Sequence, residues 1–198
     1  KKTKNKRQIG GFLLTAMICS SLLGGCAVLD REESSDNTFQ ETDSAETLLT
    51  IDDPEEKAAV EAAKAKVAAM EENPRIIATS PAVAEICDRL DLELAGVCSS
   101  TVSSIPERYD DLTQVGTAMS PDMEIISSLS PDWILSPATL QSDLQPKYEA
   151  IDTDWAFLNL RSVPGMYRSI QELGEIFGKA EEAQAQVQEF TQFYNEYK

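Results

Sequence analysis

The chain has 198 residues, 42% of them hydrophobic and 7% aromatic, enough for one ordinary domain or one large lobe plus a tail. Its 17 basic residues face 34 acidic ones, and five of the basic ones (Lys1, Lys2, Lys4, Lys6, Arg7) precede Gly10, so the rest of the chain is more acidic than the formal −17 suggests; such a surface repels phosphate backbones and argues against nucleic-acid binding. There is no His, which removes His-based triads and His-ligated zinc from this chain.

Lys1 stands where an initiator Met would, so a trimmed N-terminus is expected. The basic segment KKTKNKR precedes an apolar run from Ile9 to Leu23, too short and interrupted to stand as a spanning helix. The run closes on Leu23-Gly24-Gly25-Cys26, the pattern of a lipobox, with small residues before a Cys and Leu three positions upstream. Residues 1–26 are therefore expected to be a lipoprotein signal peptide, with Cys26 lipidated after cleavage. One lipid-bearing Cys anchors a protein rather than threading it through the bilayer, placing it on the extracytoplasmic face of the cell membrane. Residues 27–53 are polar, acidic and aperiodic, and read as a disordered tether. From Pro54 the composition changes to PEEKAAVEAAKAKVAAMEE, which predicts a helical spacer over 54–72 with a thin stripe of Val60, Ala63, Val67 and Met70.

Beyond residue 73, apolar runs alternate with helical segments. Arg75–Thr79 is a run of the kind a buried parallel strand shows. Ser80-Pro81 then pairs an N-cap residue with Pro at the first helical position. Val83, Ile86, Cys87 and Leu90 fall at i, i+3, i+4 and i+7 of a helix over 81–90. Leu94–Cys98 reads as a second strand, followed by a small polar loop. Ser120-Pro121 repeats the cap device and predicts a helix over 120–129. Trp133–Ser136 is a third strand, 138–149 a helix, and Trp155–Leu158 a fourth strand. Helical sequence runs from Pro164 to Lys198, with Gly178 as a candidate break. This alternation means βαβ units and an α/β fold, a parallel sheet flanked by helices. Ligands of such sheets sit at the carboxyl ends of the strands, against helix N-termini. For Cys87 and Cys98, pairing and free burial both stay open. No P-loop, GxSxG or clustered carboxylate motif is present, so a non-enzymatic role is expected.

Three phrases carry a family likeness: SPAVAE at Ser80 to Glu85, SPDMEI at Ser120 to Ile125 and LSPDWIL at Leu129 to Leu135. In this order they resemble the periplasmic-binding domain of iron-complex and cobalamin importers, the substrate-binding proteins of ATP-binding-cassette (ABC) transporters. The likeness covers about residues 74–198. Through LDLELAG, IPERYDDLTQVGTAMSPDME and LGEIF it runs toward the haem-binding lipoproteins of Gram-positive iron-regulated surface systems. It implies two α/β lobes joined by one long helix, with ligand in the cleft. On that reading residues 73–163 are the N-terminal lobe, 164–198 the long linking helix, and the C-terminal lobe is expected outside this chain.

The resemblance also implies a function: capture of haem (iron-porphyrin) from cell-surface donors and delivery to an ABC permease and its ATPase. Haem is then the transported ligand, and no catalytic cofactor is implied. A ferric siderophore or cobalamin is the alternative ligand, and a lipid-anchored sensor or interaction domain is the alternative of another class. Met119 matches an axial iron ligand, a role suited to a soft, neutral thioether, although a Met more often fills a core gap. The second axial ligand of that pattern is a His in the other lobe. Ser80, Ala82 and Val83, at a helix start that favours anions, and Ser100 and Thr101 in the next loop, match positions that meet haem propionates. That loop offers neither Lys nor Tyr here. Glu124 matches a Glu that docks on a permease Arg.

Overall fold

The computed structural model describes residues 44–197. The expected signal peptide with Cys26, and residues 27–43 of the expected tether, lie outside the described residues. In chain order the elements are α1 (Ala45–Leu49), α2 (Pro54–Ala68), β1 (Ile76–Ala78), α3 (Pro81–Arg89), β2 (Leu94–Val97), β3 (Gly116–Thr117), β4 (Ser120–Pro121), α4 (Met123–Ser128), β5 (Trp133–Pro137), α5 (Gln141–Tyr148), β6 (Asp154–Leu158), α6 (Val163–Ile176) and α7 (Ala180–Glu196). Four strands form one parallel sheet in the order β2-β1-β5-β6. The chain steps from β1 to β2 on one side and returns on the other with β5, so the order reverses beside β1, where open α/β sheets bind ligands.

Because successive side chains on a strand face opposite ways, each strand feeds two cores. Ile76, Ala78, Trp133 and Leu135 face one side, packed with Val83 and Ile86 of α3 and Leu90 at its C-cap, Ile170 and Leu173 of α6, and Val60 and Ala63 of α2. Ile77 and Ile134 face the other, with Ile126 of α4 and Leu144 and Tyr148 of α5. The i, i+3, i+4, i+7 set predicted for α3 is wholly buried. At the carboxyl ends of β1 and β5, the Thr79 and Ser136 hydroxyls lie 2.6 Å apart and Ser136 lies 2.8 Å from the Tyr148 hydroxyl. Thr79 donates to the Leu135 carbonyl at 3.2 Å, so the chain of buried hydroxyls ends on backbone.

Four expectations need correction. The tether read through residue 53 contains α1, capped by Ser44, whose Ala45 and Leu49 are buried; two apolar contacts outweigh the polar composition around them. The spacer is no free arm: α2 lies on α6, and Lys66 forms an ion pair with Asp154. Ser120 is not an N-cap. Its backbone pairs with Thr117 in a β3–β4 hairpin, and Asp122 caps α4 instead, accepting from the Glu124 and Ile125 N–H groups at 3.0 and 3.1 Å. The strand pairing holds Ser120 in extended structure and moves the helix start to Asp122, whose carboxylate satisfies two N–H groups. Last, the single long helix is a hairpin of two. Gly178 has φ +70°, and the Lys179 N–H donates to the Gly174 carbonyl at 2.7 Å, a Schellman stop. α7 then folds back along α6, with Tyr167 and Phe190 stacked at 4.6 Å.

Candidate functional site

The carboxyl edge of the sheet gathers the loops after β1, β2, β5 and β6 and the tip of the β3–β4 hairpin. Ser80, two residues beyond β1, caps α3, its Oγ accepting from the Val83 N–H at 3.2 Å. The Val83 side chain is in the core, so this residue offers the edge nothing beyond an N–H already taken. Pro81 has no N–H and Ala84 donates to the Ser80 carbonyl at 3.0 Å. The N–H of exposed Ala82 is therefore the group this helix start leaves without a helical acceptor. In the next loop the Ser100 Oγ accepts from the Val102 and Ser103 N–H groups at 3.3 and 3.1 Å, which holds the turn in shape, and Thr101 is exposed.

Met119 occupies the two-residue turn of the hairpin, 78% exposed. Its side chain therefore lies outside the core formed by the described residues. The hairpin is tied at its base, where Ser99 donates to the Gly116 carbonyl at 2.8 Å and Asp122 to the Val115 carbonyl at 2.7 Å, so this separate two-stranded sheet is held beside the end of β2. Gly116 has φ +90°, and a Cβ there would lie 2.8 Å from the Ser120 carbonyl oxygen, so the turn requires glycine. Glu124 is exposed on the first turn of α4, just after the hairpin.

Arg161, within the 159–164 segment of this edge, is not among the expected site residues. After β6, the Ser162 Oγ accepts from the Gly165 N–H at 3.2 Å, a second Ser-capped helix start on the same edge. Beside it Arg161 is exposed, its backbone N–H on Asn159 Oδ1 at 3.3 Å, and it forms no ion pair among the described residues. The Ser-x-Pro signal of Ser162 and Pro164 repeats the Ser-Pro cap signal of α3. Arg108 and Lys179, by contrast, are held in ion pairs. Arg108 reaches Asp91 at 2.9 Å and Glu93 at 2.7 Å, and Lys179 reaches Asp91 at 3.1 Å. These hydrogen bonds hold the Asp91 carboxyl below the usual carboxylate range.

Cys87 and Cys98 are both free and buried. Burial pushes their thiols up to about 12 and about 11, so neither offers a thiolate to a metal at neutral pH. Taken together, the edge presents a soft sulfur, a free helix N–H and one guanidinium along the rim of the sheet. That set suits a ligand with a soft-binding metal and acidic groups.

A family model described as "Periplasmic binding protein" matches residues 76–198. The high-affinity heme uptake system protein IsdE of Staphylococcus aureus is 33% identical over 109 residues, 55% of this chain and 37% of that protein. Among solved structures, an ABC transporter substrate-binding protein from Listeria monocytogenes EGD-e superposes with TM-score 0.59 at 40% identity, over 61% of this chain and 46% of that one. S. aureus IsdE complexed with heme gives TM-score 0.57 at 30% identity, over 60% and 45%. The periplasmic heme-binding protein HutB of Vibrio cholerae, at 20% identity and TM-score 0.53, shares the fold. The chain thus spans less than half the length of these relatives, and α1 and α2 precede the matched region. With the parallel sheet, the order reversal beside β1 and the family match over more than half its length, this chain belongs to the periplasmic binding protein family.

Proposed function

We propose that this chain is the ligand-capturing lobe of a lipid-anchored substrate-binding protein that takes haem for an ABC importer. Met119 supplies one axial ligand to the iron. The observation that carries the reading is the placement of Met119, exposed on a tied hairpin at the ligand edge, in a chain 33% identical to a heme uptake protein. The second ligand comes from outside this chain, which has no His. The Ala82 N–H and the Ser100–Thr101 loop face the propionates as neutral donors. Cys26 carries the lipid on the extracytoplasmic side, and Glu124 docks on the permease, which works with its ATPase. A ferric carboxylate siderophore is the second reading, favoured by the unpaired guanidinium of Arg161.

Haem titration of the full-length protein tests this. Met119→Ala is expected to open one axial position, shift the Soret band, weaken haem retention and lower the reduction potential, since a thioether favours the reduced iron. An unchanged spectrum removes Met119 from the iron. A wild type that ignores haem and binds a ferric carboxylate siderophore replaces the ligand.

A further inference from the structure

The sulfur atoms of the described residues differ sharply in access. Cys87 and Cys98 are buried, and burial keeps their thiols protonated. Met123 packs against the core that holds Ile126 and Leu144, and Met166 against the core that holds Ile170 and Leu173. Met70, just past α2, is half-buried. Among the described sulfur-bearing residues, Met119 alone has an exposed side chain.

The hairpin keeps that sulfur in the open. Met119 lies between Thr117 and Ser120, which pair across the two strands, and the Ser120 N–H donates to the Thr117 hydroxyl at 3.3 Å. These contacts shape the turn without using the Met119 side chain. A thioether has no proton to lose, so its lone pairs are open to an oxidant at any physiological pH, unlike those of a thiol. The formal charge of −17 repels anionic oxidants and favours an uncharged peroxide at the surface.

We propose that Met119 is a reversible oxidation site, converted to its sulfoxide by hydrogen peroxide in the ligand-free chain, and that this conversion switches off ligand capture. The Sδ lone pair attacks one peroxide oxygen. An S–O bond forms as the O–O bond breaks, and the sulfur is oxidised by two electrons. The departing hydroxide takes the proton of the transferred oxygen and leaves as water. The product presents a hard oxygen where a soft sulfur stood, a poorer partner for haem iron. Because the side chain is exposed, the added polarity is not buried and the fold is undisturbed. The effect on capture rests on the reading of Met119 as an iron ligand; the preference of the oxidant for Met119 does not.

The test treats the ligand-free full-length protein with hydrogen peroxide, maps its peptides by mass spectrometry and then titrates it with haem. Met119 should gain one oxygen at least about tenfold faster than Met70, Met123 or Met166, with the melting curve unmoved. Haem affinity should fall about tenfold and the Soret band should move as oxidation proceeds. Both changes should run at equal rates at about pH 5 and about pH 8, and methionine sulfoxide reductase should reverse them. Met119→Leu should respond to haem identically before and after peroxide. Oxidation spread evenly over the methionines overturns the proposal, as does a loss of haem binding that quickens with pH, the mark of a thiolate. So does an oxidised Met119 with haem binding unchanged, and Met119→Ala then separates the two readings. An altered haem spectrum in that variant keeps Met119 on the iron and ends the switch alone. An unaltered one, like a wild type that takes up no haem, ends both.

Discussion

The carboxyl edge and the α2–α6 seam handle polar groups in opposite ways. At the edge, Ser80, Ser100, Asp122 and Ser162 each accept from backbone N–H groups, so the loops are held by neutral contacts and one capping carboxylate. Exposed Met119, Arg161 and the Ala82 N–H stand out from a frame already satisfied within itself. At the seam, carboxyl groups from three elements crowd a cavity with two tryptophans, and Glu172 keeps a proton to remain there. A satisfied frame presents ligating groups at fixed positions with little reorganisation on binding. A seam with unbalanced charge responds instead to pH. Binding groups are thus recognised at the edge by their exposure, whereas the buried, ill-matched carboxyls of the seam set its response to pH.

The largest expected effect separates the two regions. Val60→Asp adds a charge to the apolar side of α2 beside carboxylates, and should cost about 3 kcal/mol of arm docking. Hydrogen exchange should speed up over 54–68 while the sheet stays protected; equal exposure of both would show that arm and lobe unfold together. Next comes one substitution made at two glycines. Gly116→Ala forces a Cβ onto backbone at φ +90°, whereas Gly178, at φ +70°, has nothing within 4 Å of its Cβ position. Urea denaturation should show a loss of about 2 kcal/mol at Gly116 and about 1 kcal/mol at Gly178. Equal losses would mean that the hairpin is not held as tightly as the edge requires.

A smaller effect comes from pH. The Glu172 carboxyl is raised to about 8 from 4.5, so between those values the folded chain holds a proton that the unfolded chain has lost. Stability therefore falls as pH rises across that window. Glu172→Gln should raise the melting temperature by about 3 °C at pH 8.5 and leave it unmoved at pH 4; a gain that persists at pH 4 would place its origin outside this titration. The smallest effect is at Met119. Its exposed side chain makes Met119→Ala neutral to within about 0.5 kcal/mol in the ligand-free chain. A loss near the 2–5 kcal/mol of a buried Met would return it to the core.

The four strands of the sheet were legible as short apolar runs, because a buried parallel strand needs both faces apolar and so leaves a continuous signal. The start of α3 was legible for a similarly local reason, since Ser80-Pro81 contains both the cap and the residue that tolerates having no N–H to donate. The α6–α7 break was visible as Gly178, though whether it kinks or reverses the helix depended on Gly174 and Ala183 meeting across the hairpin. Other features were not local. Ser120 and Ser80 precede Pro in the same way, yet the strand pairing to Thr117 takes one of them out of the cap position. The stripe of Val60 and Ala63 looked thin enough for a free spacer; only the apolar face of α6 opposite it made docking favourable. Glu56 and Glu172, which line one cavity, are separated by more than a hundred residues of chain. No spacing rule links them, because their meeting depends on how α2 packs across β6 and α6, a matter of three-dimensional contact rather than of neighbouring residues.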